Sequence, residues 1–98
     1  MNSAAVIAVL REHESELRRQ GVTHAALFGS VARGDAGPDS DLDIMVQIDP
    51  AADVNLYDYV GITQFIGDLF AGRADVSDRE MLIEPIRREA EREAIFAF

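Results

Sequence analysis

Gly29-Ser30 is followed after ten residues by Asp41-Leu42-Asp43, and these two short groups carry the most chemistry in the chain. An apolar run from Val22 to Phe28 leads to Gly29, and a short helical turn starting there would aim backbone N–H groups at an anion above it. Glycine lets the backbone approach a phosphate without a Cβ in the way, and the Ser30 hydroxyl adds a donor to the same cradle. Asp41 and Asp43 project from one face of a strand, about 6 to 7 Å apart at a rise of about 3.3 Å per residue. Two carboxylates converging on one small volume repel each other, and a bound divalent cation is the usual way to stabilise them. Mg2+ suits them, because it takes oxygen ligands and bridges carboxylates to substrate phosphates. Asp75, on a further strand, is expected as a third carboxylate that completes a two-metal site and acts as base on an attacking hydroxyl.

Taken singly these pieces say little: most Gly-Ser pairs are turns, an exposed Asp-x-Asp is commonly a solvated pair, and Asp75 suits a turn. Their conjunction is what is specific. A strand runs into Gly-Ser, ten residues follow, and Asp-x-Asp then opens a second strand. Asp68 and Asp78 compete with Asp75 for the third position. Arg33 has two readings, as a fork matched to phosphate oxygens or as an ion-pair partner of Asp35, Asp39 or Asp41.

The elements that must position these residues follow from periodicity. Val6, Leu10, His13 and Leu17 share one face of a helix over residues 3 to 20, which Gly21 ends. His13 is expected to pack at the edge of the core. Val22 to Phe28 reads as a buried strand, and Gly29 to Ser40 as a loop with room for one helical turn. Asp41 to Ile48 alternates strictly, with Leu42, Ile44, Val46 and Ile48 on the face opposite the aspartates. After Asp49-Pro50, a helix capped by Asp53 or Asn55 runs to about Phe70, with Leu56, Tyr59, Val60, Thr63, Ile66 and Phe70 as its buried stripe. Arg73 to Ser77 reads as a third strand. From about Arg79 a last helical region follows, broken locally at Glu84-Pro85, with Ile86, Ala90 and Ala94 as its apolar stripe. The sequence ends in the apolar run Ile95-Phe96-Ala97-Phe98.

Composition narrows the function class. Ninety-eight residues with 18 acidic and 9 basic side chains carry a formal charge of −9, and their length fits one domain over 1–98. Every basic residue is Arg and no Arg-rich run exists, so broad nucleic-acid or anionic-membrane binding is not expected. There is no Cys, hence neither a disulfide framework nor a thiolate metal site. No signal-peptide pattern or membrane-length apolar stretch is present, and a cytoplasmic protein is the expectation.

The G-S-x10-D-x-D pattern, with Arg33-Gly34 and Ser40-Asp41 in its interval, resembles the signature of the minimal nucleotidyltransferase domain of the DNA polymerase β superfamily. The resemblance runs from about Val22 to the end of the sequence. It implies an α/β (α+β) polymerase β-like fold, a small mixed sheet of about three strands flanked by helices in the order α-β-β-α-β-α. It implies further that Gly29 and Ser30 hold a triphosphate and that Asp41 and Asp43 bind Mg2+. Asp75 is matched to the third carboxylate, although Ser77-Asp78-Arg79-Glu80 after it is more polar than the usual continuation.

Chains of this size and pattern also resemble the MNT component of HEPN/MNT toxin–antitoxin pairs. That resemblance implies an antitoxin that transfers AMP from ATP, with Mg2+, to a tyrosine of a cognate HEPN ribonuclease, in a hetero-oligomer. The acidic charge suits a basic partner, and equally suits plain solubility. The apolar tail fits either a partner or the chain's own core. Two alternatives are a binding-only antitoxin with a weak site and a stand-alone nucleotidyltransferase for a small molecule; 98 residues leave little room for the substrate domain the latter needs.

Overall fold

The computed structural model describes residues 1–98. Its centre is a four-stranded mixed sheet of β1 (Val22–Phe28), β2 (Leu42–Ile48), β3 (Ala74–Asp78) and β4 (Ile95–Phe96), in the order β3-β2-β1-β4. The β1–β2 and β1–β4 pairs are antiparallel and β2–β3 is parallel. The helices are α1 (Ser3–Glu12), α2 (Glu14–Arg19), α3 (Gly29–Arg33), α4 (Leu56–Leu69) and α5 (Glu84–Glu93).

Alternation along the strands divides the core in two. Val22, Ala25 and Leu27 of β1 and Leu42, Ile44 and Val46 of β2 join Val6, Ile7, Leu10, Leu17, Ile62, Ile66 and Phe70 from α1, α2 and α4. The other face is thinly covered, by Ala90 of α5 against Ala26 and Met45. Asp43 shares the Met45 face by the period of two, so the aspartates lie where the sheet is only partly roofed.

The sheet has four strands rather than the expected three or so. Ile95 and Phe96, read as tail, pair with Leu27 and Ala26 on the free edge of β1, and two residues are too short to show alternation. The next residue, Ala97, is buried and donates its N–H to Ala25 O at 2.8 Å. Its carbonyl accepts from Arg11 Nε at 2.8 Å. Ala97 and Phe98 therefore pack on the chain's own core, while the Ile95 and Phe96 side chains stay exposed.

Two helix boundaries differ from expectation, at His13 and at Pro85, and α4 differs in its buried face. The first helix is interrupted at His13, whose Nδ1 sits 2.8 Å from Val9 O and whose ring meets Phe65 edge-on. It is half-buried, as an edge-of-core residue. Pro85 begins α5 rather than breaking it, since a first-turn residue needs no N–H. In α4, Asn55 is the cap and forms a reciprocal capping box with Asp58. The buried residues of this helix are Ile62 and Ile66, while Leu56 is 78% and Val60 44% exposed. Leu56 and Val60 of the expected stripe therefore lie off the buried face of this helix.

Candidate active site

Phe28, the last residue of β1, is the register partner of Asp43 near the start of β2. The turn into α3 is thereby set directly against the aspartate. Gly29 makes that turn with φ +79°, and a Cβ built on it would overlap the Asp43 carboxylate, with Cγ at 3.0 Å. Gly34, with φ +82°, closes α3 after five residues. The loop beyond is tied by Gly37 N–H donating to Ser40 Oγ at 3.0 Å, and Leu42 N–H donates to Arg73 O at 2.9 Å. The strand of Asp43 is thus anchored to the segment that begins the strand of Asp75.

Asp43 and Asp75 are direct register partners on the parallel pair β2–β3. Strands lie about 4.8 Å apart, so their side chains stand together on one face. Asp43 is half-buried while Asp75 and Asp41 are exposed, Asp41 standing one residue before β2. Burial pushes the Asp43 carboxyl above its ordinary range; the charges of Asp75 and then Asp41 add to this, Arg33 opposes it, and Glu93 adds again. Of the competitors, Asp78 pairs with Val46 at the far end of β3 and accepts from Glu80 N–H at 3.0 Å, while Asp68 is exposed on α4. Asp75 is the one carboxylate of the three beside Asp43. No three His, Asp or Glu side chains stand close enough to hold a metal ion as arranged. The Asp43–Asp75 pair nevertheless offers the hard oxygen donors and negative charge that Mg2+ prefers.

The opposite wall of the site contains a residue that sequence reasoning missed. Glu93, at the end of α5, accepts from Gly29 N–H at 3.2 Å and from Arg33 Nη1 at 2.8 Å. Arg33 Nε also donates to Asp35 Oδ2 at 3.1 Å, and Asp35 and then Glu93 raise the guanidinium pKa further. Of the three pairings expected for Arg33 only Asp35 is made. Glu93 is 60 residues away from Arg33 in a charged helix, and no local pattern sets it apart from Glu89 or Glu91. Ser30 is half-buried, its carbonyl accepting from Asp35 N–H at 3.0 Å.

A shallow hollow of about 170 Å³ lies beside this wall, lined by Phe28, Gly29, Arg33, Ile86, Ala90 and Glu93 among others. A larger hollow of about 410 Å³ between Arg19, Val54 and Tyr57 contains none of the clustered carboxylates. The chemistry, not the volume, locates the site.

Residues 10–97 match the family model described as a nucleotidyltransferase domain. The protein adenylyltransferase MntA of Thermococcus cleftensis is 31% identical over 90 residues, covering 91% of this chain and 89% of its own length. A solved structure assigned as a minimal nucleotidyltransferase superposes with a TM-score of 0.79 at 32% identity, covering 97% of this chain and 95% of that one. A tri-AMPylated Shewanella oneidensis HEPN toxin in complex with its MNT antitoxin offers a chain that aligns at TM-score 0.63 and 16% identity. It covers 94% of this chain and 71% of that one, a likeness of fold alone.

Proposed function

The chain belongs to the nucleotidyltransferase domain family, and from that premise we propose that it is an antitoxin enzyme that transfers AMP from ATP to a tyrosine of a HEPN-family toxin. The observation that carries this reading is the register of Asp75 with Asp43 on neighbouring parallel strands, beside the Gly29 turn. The adenylyltransferase relative supports AMP as the group transferred, and the HEPN–MNT complex supports a toxin as acceptor.

In this reading Gly29 N–H, the Ser30 hydroxyl and Arg33 bind the phosphates, because transfer at phosphorus is mainly a matter of positioning and charge neutralisation. Asp41, Asp43 and Asp75 are the residues that would hold Mg2+, which when bound would supply charge neutralisation at the phosphates and the leaving group. Asp75 accepts the proton of the tyrosine hydroxyl as its oxygen forms a bond to the α-phosphorus, and the bond from that phosphorus to pyrophosphate breaks. The thin roof of α5 over this face leaves the aspartates open to a macromolecular acceptor.

Incubation with ATP labelled in its α-phosphate, Mg2+ and the product of the neighbouring gene tests the reading. Label on a toxin tyrosine, with loss of ribonuclease activity, is the expected result. Stable complex formation and toxin neutralisation without label would replace it with a binding-only antitoxin.

A further inference from the structure

Glu93 holds the donors that the phosphates would need. One carboxylate oxygen takes Gly29 N–H at 3.2 Å and the other takes Arg33 Nη1 at 2.8 Å. Its side chain is 17% exposed, against 45% for Arg33, so the carboxylate is the more enclosed partner of the pair. The chain on either side fixes it in place. Ala90, one turn earlier, is buried against Ala26 and Met45, and Ile95-Phe96 is stitched to β1 two residues later. A carboxylate and a phosphate oxygen are both charged acceptors and compete for the same N–H groups.

We propose that Glu93 is an internal anion that occupies the phosphate-binding donors of the nucleotide-free chain and sets nucleotide affinity, because ATP must displace it. The inference rests on the nucleotidyl-transfer reading in that Gly29 and Arg33 are taken as phosphate donors. It also links nucleotide entry to α5 and the β4 tether, since Glu93 lies between them.

The test is calorimetric titration of the full chain with inorganic triphosphate and with ATP·Mg2+. Glu93→Gln keeps size and a hydrogen-bond acceptor but removes the charge, and should tighten binding of both ligands roughly tenfold or more, about 1.4 kcal/mol. Glu93→Asp keeps the charge on an arm too short to span both donors, and should tighten binding as well. Glu89→Gln removes one charge from the same hollow without touching Gly29 or Arg33, and should change affinity far less. Thermal unfolding verifies that each variant is folded, and the Asp variant carries the test if the Gln variant is not. Equal or weaker binding by the Glu93 variants overturns the proposal while leaving the enzymatic reading intact; an equal gain from Glu89→Gln overturns it in favour of a general field effect. Absence of triphosphate and ATP binding in every form overturns both.

Discussion

The Asp43 carboxylate fills the space that a side chain on residue 29 would need, its Cγ lying 3.0 Å from where that Cβ would stand. The Gly29 turn and the Asp43 carboxylate are consequently one packed unit, fixed by the Phe28–Asp43 register. Glycine is required at 29 twice over, by its positive φ and by its neighbour.

Two glycine variants separate those requirements. Gly34 has φ +82° and nothing within 4 Å of a built Cβ, so Gly34→Ala should cost only the left-handed strain, about 1 to 2 kcal/mol. Gly29→Ala adds steric overlap and should cost at least about 1 kcal/mol more. Urea midpoints of the two variants check this; equal losses would mean that Asp43 moves aside freely.

The raised pKa of Asp43 has a definite sign in folding. Its neutral form is favoured in the folded chain by burial and by the charges of Asp75 and Asp41. That contribution is fully present below the unfolded pKa of about 3.9 and is lost as pH rises through the higher folded value. In Mg2+-free buffer Asp43→Asn should therefore be more stable than wild type at pH 7, and the gap should shrink toward pH 4. Added Mg2+ should stabilise the wild type alone, and transfer by the variant should fall by about two orders of magnitude or more. Chemical unfolding at both pH values with and without Mg2+, together with a transfer assay, covers all three points.

Asp75 and Asp78 should behave differently although they share a strand. Asp75→Asn removes the carboxylate beside Asp43 and should lower AMP transfer on the order of a hundredfold with the fold retained. Asp78→Asn alters the Glu80 cap and should leave transfer within a few-fold while costing up to about 1 kcal/mol. Single-turnover rates and thermal unfolding distinguish them, and the reverse pattern would move the third ligand to Asp78.

In α4, Ile62→Ala and Ile66→Ala should each cost about 2 to 5 kcal/mol, because both side chains are fully buried. Leu56→Ala, at a position 78% exposed, should stay within about 0.5 kcal/mol. Denaturant unfolding measures both.

The sequence made β1, β2 and the Gly29–Asp43 motif readable because alternation, glycine and paired carboxylates are local signals. Asn55 as cap and a third strand carrying Asp75 were also within reach of local reading. What escaped it depended on contacts made across the fold. Glu93 acquires its role only because α5 crosses the sheet and ends over Gly29, and β4 is a strand only because β1 has a free edge to receive it. Leu56 and Val60 matched a helical stripe, but whether that stripe meets the sheet depends on where the sheet stops.

The order β3-β2-β1-β4 leaves the two borders of the sheet unlike each other. β4 seals one border, whereas β3 presents its outer backbone groups over five residues that include Asp75 and Asp78. A row of unpaired N–H and C=O groups invites a stranger's strand, and short, negatively charged borders discourage it. At high concentration Asp75→Asn should therefore aggregate more readily than the wild type, because it removes one negative charge from this border.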